Sequence, residues 1–294
     1  MKKAIIFILF VFSFVFGKEL RDYKVIWKCI ESEGKNYVAI RSFVEDGKEK
    51  FLAVDIKTLR TRIFDKEEVE FANFDIKDSR YYNLLKKSVS SSLHNGGIKN
   101  GCVDKVFLTV DLCPSSKKEP FEEKAIKDFI KKGHKNIAFV VSGRWFIKNQ
   151  KYINWIKKQI KEGNLNVIWI NHTYTHFYNP KLPLEKNFLL KEGTNLFFEI
   201  TEVEKLFIKN GMVPSIFIRF PGLVADYEIR KEVAFKYGLI AVGSDAWLAK
   251  GQMPIKGSII LIHGNKNEPA GIKIFEKLLE KDFSFGSLLG IRCD

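Results

Sequence analysis

Five polar side chains that could do proton-transfer chemistry each lie at or just after the C-terminal end of a different predicted strand. They are Asp111, His172, Arg219, Asp245 and His263. The carboxyl ends of parallel strands meet at one edge of an α/β sheet, where catalytic sites assemble. Carboxylates, imidazoles and a guanidinium at that edge can supply a base, an acid and a counter-charge. We therefore expect these residues to form a single site.

A candidate metal-binding segment begins at the first of these histidines, in the sequence His172-Thr173-Tyr174-Thr175-His176. A four-residue step directs both imidazoles at one ion if the segment turns helically, and imidazole is a common zinc ligand. Together with the strand-end carboxylates, this pair predicts a divalent metal, with zinc as the first candidate.

The elements that must position these side chains follow from the pattern beyond about residue 103, which alternates apolar strands with amphipathic helices. Predicted strands span residues 105–110, 137–141, 166–170, 216–219, 239–242 and 258–262. Helical faces occur in 121–130 and 152–160, and a helix over 196–210 ends at Gly211, a favourable C-cap residue. Repeated β-α units require a parallel sheet, open or closed into a barrel. We assign residues 103–294 to this α/β domain.

The preceding part of the chain has a different pattern, in which short β-prone runs are broken by polar turns. The runs are 24–29, 37–43, 51–56 and 58–64, and Asp46-Gly47 is a good hairpin turn between the second and third. Residues 18–87 are therefore predicted to form a small antiparallel β module, with packing or binding as its role. Residues 88–102, rich in Ser, Asn and Gly, are predicted to be a linker.

Residues 1–17 have the features of a secretory signal, because Lys2 and Lys3 precede an apolar run that is too short to span a membrane. We expect the product to be secreted or periplasmic. The formal charge of +14 becomes +12 without these two lysines, which favours contact with anionic envelope surfaces. There is no arginine-rich run or nucleic-acid motif, so nucleic acid is not an expected partner.

Four cysteines remain beyond the predicted signal, namely Cys29, Cys102, Cys113 and Cys293. An oxidising exterior permits disulfides among them. A predicted strand separates Cys102 from Cys113, and a rise of about 3.3 Å per residue disfavours pairing of those two. The remaining pairings stay open.

Residues 103–292 carry five motifs that, in this order, resemble those of the polysaccharide deacetylase family, carbohydrate esterase family 4. The motifs are Thr109-Val110-Asp111-Leu112-Cys113-Pro114, His172-Thr173-Tyr174-Thr175-His176, Arg219-Phe220-Pro221-Gly222, Asp245-Ala246-Trp247 and Leu261-Ile262-His263. The resemblance implies an α/β fold with a distorted (β/α) barrel. It also implies metal-assisted hydrolysis of N-acetyl groups on a glycan.

The resemblance further implies a role for each motif residue. Asp111 would be the base that activates water, and His172 and His176 would bind the metal. Arg219 would orient Asp111, while Asp245 would steady Arg219 and lie near His263, the general acid for the leaving amine.

Three further motif residues would contact the substrate. Trp247 would form a wall of the acetyl pocket, and backbone N–H groups near Gly222 would meet the developing oxyanion. Tyr174, with the neighbouring aromatics, could stack against a sugar face.

Leu112 departs from the family pattern, because it occupies the place of the aspartate that is the family's third protein ligand to the metal. Leucine cannot coordinate a metal, and four arrangements remain open. Asp111 could bind the ion with the two histidines, or Cys113 could supply a thiolate. Water or a residue from elsewhere could complete a weaker two-histidine site. Finally, metal and hydrolysis could be lost, leaving a glycan-binding relic.

The leading hypothesis is an exported hydrolase that removes N-acetyl groups from peptidoglycan or an exopolysaccharide. The alternative is a non-catalytic glycan-binding or envelope-assembly protein on the same fold, and a third candidate is deacylation of a different amide or ester. Retention of the proton-transfer residues favours catalysis, since a binding protein has no need of Asp111, Arg219, Asp245 and His263 together.

Overall fold

A computed structural model of the protein describes residues 19–292. The predicted signal segment, residues 1–17, and Cys293 lie outside this range. Within it, the chain forms an antiparallel sheet of five strands and a parallel sheet of seven strands. Across residues 19–292, no helix is both long and apolar enough to cross a membrane.

The N-terminal sheet has the strand order β4-β3-β2-β1-β5 and is followed by one helix. Its elements are β1 (Leu20–Ser32), β2 (Lys35–Glu45), β3 (Lys48–Asp55), β4 (Thr61–Asp65), β5 (Glu70–Phe71) and α1 (Arg80–Ser88). Asp46 and Gly47 connect β2 to β3 with φ values of 52° and 83°. These positive values suit Asp and Gly and are those of a tight hairpin turn. The predicted hairpin at this place is confirmed.

The C-terminal sheet is parallel throughout, with the order β10-β9-β8-β7-β6-β12-β11. Its strands are β6 (Phe107–Leu112), β7 (Asn136–Val141), β8 (Asn166–Asn171), β9 (Phe217–Ile218), β10 (Ile240–Ala241), β11 (Ala246–Trp247) and β12 (Ile259–His263). The helices that accompany them are α2 (Glu123–Lys131), α3 (Gly143–Lys148), α4 (Gln150–Lys161), α5 (Leu196–Lys209), α6 (Tyr227–Phe235) and α7 (Pro269–Leu278). The predicted α/β fold with a small β-rich module before it is confirmed.

The sheet curves into an incomplete barrel, and the segment predicted to be a linker bridges its two ends. The Ile98 N–H donates to the Ala241 carbonyl at the end of β10, at 2.9 Å. One residue later, the Lys99 carbonyl accepts from the Ile259 N–H of β12, at 3.1 Å. Because one short segment bonds to β10 at one edge of the sheet and to β12, the second strand from the other edge, it spans the open side of the distorted barrel that the motifs imply.

The N-terminal module packs directly on the barrel through a shared core and a buried ion pair. Arg41 of β2 donates to both carboxylate oxygens of Glu204 on α5, each at 2.7 Å. The Tyr23 hydroxyl donates to the same carboxylate at 2.9 Å, and Arg41 also donates to the Tyr237 carbonyl at 2.8 Å. The Arg41 and Glu204 side chains are only 0% and 2% exposed. This pair therefore joins the module to the helix that borders the candidate site.

Replacing Arg41 by Met is expected to lower the free energy of unfolding by about 3–5 kcal/mol, because Glu204 is left as a buried carboxylate without a counter-charge. Urea unfolding followed by circular dichroism measures the change. The control is Arg21→Met, because Arg21 is 60% exposed and its ion pair with Glu19 is worth at most about 1 kcal/mol. Equal losses in the two variants would contradict a stabilising role for the buried pair.

Candidate active site

Three of the five predicted strand-end residues, Asp111, His172 and His263, line one cavity of about 400 Å³. Asp111 and His263 are register partners on the adjacent strands β6 and β12. His172 directly follows β8, and Arg219 directly follows β9. The cavity is lined by Asp111, Cys113, His172, His176, Tyr178, Leu184, Phe188, Gly222, Leu223, Trp247, Lys250, Leu261, His263, Asn267 and Glu268.

Asp111 is held as an ionised carboxylate by Arg219. Nη1 of Arg219 donates to Asp111 Oδ1 at 2.7 Å and to Thr109 Oγ1 at 2.7 Å, while Nη2 donates to the Gly243 carbonyl at 2.8 Å. Burial opposes ionisation of Asp111, but Arg219 and the nearby histidines outweigh it, so the pKa of this carboxyl lies below its ordinary value. The predicted orientation of Asp111 by Arg219 agrees with this geometry.

Leu112 points away from the cavity. It is fully buried with Val110 and Leu108 in the core between the sheet and its outer helices. Successive side chains of a strand face opposite sides of the sheet. Asp111 and Cys113 therefore point to the inner, cavity side, and Leu112 points to the outer side. The Leu112 carbonyl accepts from Ser142, and the Cys113 carbonyl accepts from Asn265 Nδ2 at 2.9 Å. These bonds keep the backbone extended through residue 113, so the alternation of side chains continues to that residue. Cys113, and not residue 112, therefore faces the candidate metal position.

Cys113, His172 and His176 form a compact set of nitrogen and sulfur donors. One donor atom from each lies within 4.8 Å of the other two, and Cys113 Sγ is 3.4 Å from His172 Nε2. His172 Nδ1 lies 2.8 Å from the Arg219 carbonyl oxygen, which can only accept, so Nδ1 carries the proton. Burial lowers the pKa of His172 to about 4, so the ring is neutral and Nε2 presents a lone pair to the cavity.

The other two donors also suit a metal. The Nε2 atom of His176 is buried and has no hydrogen-bond partner among the described residues. Burial raises the pKa of the Cys113 thiol, but His176 and His263 outweigh it, and the resulting pKa lies below the ordinary value. Tetrahedral zinc with sulfur at about 2.3 Å and nitrogen at about 2.0 Å separates these two ligands by about 3.5 Å. The observed 3.4 Å between Cys113 and His172 fits that separation.

The segment from His172 to His176 is not a helical turn, so the two imidazoles are brought together by another backbone conformation. Thr173 and His176 adopt positive φ values of 62° and 46°, which fold the segment tightly enough to bring the two rings within 4.7 Å. Glu199 of α5 holds this fold, because its carboxylate accepts from the Tyr174 and Thr175 N–H groups at 2.9 Å each and from Thr175 Oγ1 at 2.5 Å. Glu199 was not predicted; it lies 23 residues beyond His176 in the sequence and no motif includes it.

His263 is oriented by Glu268, which was also not predicted. Nδ1 of His263 lies 2.7 Å from Glu268 Oε2, and the same oxygen accepts from Trp247 Nε1 at 2.8 Å. Burial opposes protonation of His263, but Cys113, Glu268 and Asp111 outweigh it and raise its pKa well above the ordinary value. Burial raises the pKa of Glu268, yet His263 and Trp247 bring it below its ordinary value. The pair is therefore an imidazolium held by a carboxylate.

Asp245 does not have the contacts that its motif implies. Its carboxylate accepts from Asn100 Nδ2 at 2.8 Å, Ser258 Oγ at 3.1 Å and the Ile259 N–H at 3.0 Å. None of its hydrogen bonds within residues 19–292 involves Arg219 or His263. The Arg219 guanidinium is instead satisfied by backbone carbonyls, Thr109 and Asp111. Asp245 thus anchors the segment that closes the barrel, and the expected contact with Arg219 is wrong.

Two of the three predicted substrate contacts line the cavity. Trp247 lies beside His263, with ring centroids 5.8 Å apart, and Gly222 lies at the mouth with φ of 62°. Tyr174 does not line the cavity, because its ring packs edge-on against Phe198, with the centroids 4.9 Å apart, and beneath Gly143. Tyr178 occupies the cavity mouth instead.

Two kinds of similarity to known proteins accompany this geometry. Residues 21–89 match the family model described as RP012 protein N-terminal domain. Among solved structures, a family 4 carbohydrate esterase from Bacillus anthracis has 24% identity and a TM-score of 0.47, over 74% of this chain and 93% of that one.

Two further structures have lower identity. A family 4 carbohydrate esterase from Streptomyces lividans, in complex with acetate, has 20% identity and a TM-score of 0.44, over 65% of this chain and 94% of that one. A pseudoenzyme of the same family from Bacillus anthracis has 16% identity and a TM-score of 0.44, over 94% and 91%. The chain is thus similar in fold to two solved family 4 carbohydrate esterases and to a pseudoenzyme of that family.

Proposed function

We propose that this protein is a hydrolase that removes N-acetyl groups from a glycan. The observation that carries the proposal is that the candidate base and the candidate metal ligands are different residues of one cavity. Asp111 Oδ1 is paired with Arg219, and its Oδ2 lies 3.8 Å from His172 Nε2. Cys113, His172 and His176 form a donor set that is complete without Asp111. A carboxylate that is not needed as a metal ligand is free to accept a proton from water.

The proposed reaction assigns one proton transfer to each side of the cavity. Asp111 accepts a proton from the water that attacks the acetyl carbon, and Arg219 keeps the carboxylate ionised and aimed. His263, oriented by Glu268 and with its pKa raised by Cys113, Glu268 and Asp111, gives its proton to the leaving amine. A divalent metal, zinc being the best match to the donors, would polarise the amide carbonyl and acidify water when bound by Cys113, His172 and His176. Trp247 would pack against the acetyl methyl group.

The proposed setting is the cell envelope. The signal-like residues 1–17 support export to the periplasm or the exterior. Peptidoglycan or an exopolysaccharide is then the substrate that carries N-acetylhexosamine, and the net positive charge favours contact with anionic envelope surfaces.

Metal content and acetate release test this proposal together. Purified protein is assayed for bound zinc and for acetate released from peptidoglycan and chitin oligosaccharides. We expect wild type to show both and His172→Ala to lose both, while His134→Ala, a half-buried histidine beside Phe129, retains both. Glycan binding by wild type with neither metal nor acetate would favour the non-catalytic alternative. Acetate release that survives in His172→Ala would contradict the metal mechanism.

The His263–Glu268 pair favours a second candidate, in which Cys113 is a nucleophile. The donor atoms of Asp111, Cys113 and His263 lie within 4.8 Å of one another. The Cys113 thiolate would attack the acyl carbon, His263 would protonate the leaving amine, and water would then hydrolyse the thioester. Activity that persists in a chelator and is lost on alkylation by iodoacetamide would support this candidate. Loss in the chelator with recovery on adding zinc would support the metal site.

Glu268→Gln is expected to lower kcat by about 100-fold, because His263 loses the carboxylate that orients it and favours its proton. In wild type the Glu268 carboxylate raises the pKa of His263, so replacing it by an uncharged amide must lower that pKa. The alkaline limb of the rate–pH profile should therefore move to lower pH, while the acid limb, set by Asp111, stays in place. Glu228→Gln on α6, an exposed position, is the control. A fall in kcat with an unmoved alkaline limb would contradict this role.

A further inference from the structure

The loop between His176 and α5 is held by internal hydrogen bonds to a buried side chain, although its composition is that of an ordinary surface loop. Asn187 is completely buried, and its Nδ2 lies within 3.0–3.1 Å of the carbonyl oxygens of Asn179, Leu182 and Pro183, which share its two N–H donors. Its Oδ1 accepts from the Asn179 N–H at 2.6 Å. The Phe188 N–H donates to the Phe177 carbonyl at 2.9 Å. The buried side-chain amide of Asn187 therefore provides hydrogen-bond partners for the backbone groups of this turn.

This loop presents an aromatic platform at the mouth of the cavity, formed by Tyr178 lying on Phe188. The two rings are parallel within 12°, with their centroids 5.5 Å apart. The Phe188 side chain is buried, whereas Tyr178 is 55% exposed. Burial on one side and exposure on the other leave a single aromatic face of Tyr178 directed outward from the protein.

The platform is fixed relative to the candidate metal donors. The Phe188 ring lies against His176, with the centroids 5.7 Å apart, in an edge-on arrangement. It also covers Gly222, where an added Cβ would lie 2.4 Å from a ring carbon. Glycine at position 222 thus allows Phe188 to approach the cavity mouth. Tyr178 is consequently held beside the site and does not need to be ordered when a ligand binds.

We propose that the Tyr178–Phe188 platform is a subsite for a second sugar, next to the one whose acetyl group is hydrolysed. This inference rests on the proposed function and assigns a binding position to the sugar next to the one that is deacetylated. The apolar face of a pyranose ring stacks on an aromatic ring, and an aromatic side chain already held in place loses little entropy on binding. Leu184, 39% exposed, adds a further apolar side chain to the lining of the same cavity.

The surroundings of the platform favour a glycan over an apolar partner. Lys181, Glu185 and Lys186 of the same loop are exposed, and Asn267 and Lys250 line the cavity. An aromatic face together with hydrogen-bonding groups in the same loop and cavity matches the alternating apolar faces and hydroxyl edges of a sugar chain. A protein or lipid interface would need a larger continuous apolar patch.

The test compares N-acetylglucosamine with its β-1,4-linked tetramer. For wild type, kcat/KM should be higher for the tetramer. In Tyr178→Ala the ratio of the tetramer value to the monomer value should fall about tenfold, which corresponds to about 1.4 kcal/mol of lost stacking. Tyr178→Phe, which keeps the ring, should restore the ratio. Tyr227→Ala on α6, with a 45% exposed ring remote from the cavity, is the control.

Binding separates this proposal from the proposed function. Calorimetry with the tetramer is performed on wild type and on Tyr178→Ala. If wild type releases no acetate but Tyr178→Ala still weakens tetramer binding about tenfold, the proposed function fails and the platform stands. If wild type does not bind the tetramer, or if the alanine variant matches wild type in both binding and rate ratio, the platform proposal is overturned.

Discussion

Cys113→Ser is expected to weaken zinc binding by more than about 100-fold and to abolish acetate release. Changes to residues that merely orient a metal ligand already cost about 10- to 100-fold in affinity, so loss of a ligand must cost more. Serine keeps the size of the side chain but replaces a thiolate of lowered pKa by a hydroxyl that stays protonated. Metal titration against a competing chelator measures the affinity.

Two further variants make this result specific to position 113. Cys102→Ser, at an exposed cysteine outside the cavity, should bind zinc like wild type. Leu112→Asp should not improve zinc binding and should destabilise the fold, because residue 112 faces the apolar core and an aspartate there is a buried charge. Unchanged zinc affinity in Cys113→Ser, or tighter binding in Leu112→Asp, would contradict the assignment of the third ligand.

Asp111→Asn is expected to lower kcat by about 10²- to 10⁴-fold while the protein keeps its zinc. Asparagine has nearly the same shape but cannot accept a proton from water. Arg219 loses its counter-charge but keeps its bonds to Thr109 and Gly243, so the guanidinium stays partnered. Acetate release and zinc content are measured on the same preparation.

The matched control for this variant is Asp226→Asn. Asp226 caps α6 by accepting from the Ile229 N–H at 2.8 Å, and asparagine caps a helix equally well. That variant should keep both rate and metal. Loss of zinc from Asp111→Asn would instead identify Asp111 as a ligand and remove it from the role of base.

The sequence predicts which polar residues lie at the carboxyl edge of the sheet, because the end of a strand can be recognised from the residues next to it in the chain. Asp111, His172, Arg219 and His263 follow apolar runs whose pairing in a parallel sheet leaves little freedom in where they converge. The choice between Leu112 and Cys113 is different. It depends on whether the regular alternation of β6 continues through residue 113, which requires the tertiary contacts of Ser142 and Asn265.

The positioning carboxylates could not be predicted from local pattern. Glu199 reaches the histidine segment only because α5 packs beside β8, and Glu268 reaches His263 only because the loop before α7 returns to the cavity. The resemblance placed Asp245 in such a role, but its carboxylate is bonded to Asn100, Ser258 and the Ile259 N–H of the barrel closure. Asp245 thus has the residue type that the motif calls for, but its hydrogen-bond partners differ from those the motif implies.

X-ray absorption at the zinc edge tests the central claim, that Cys113 and the two histidines bind the metal and leave Asp111 free. The zinc-loaded wild type should show one sulfur at about 2.3 Å and two imidazole nitrogens at about 2.0 Å. The same spectrum is expected from Asp111→Asn. A first shell of nitrogen and oxygen alone, or one that changes in Asp111→Asn, would contradict the claim.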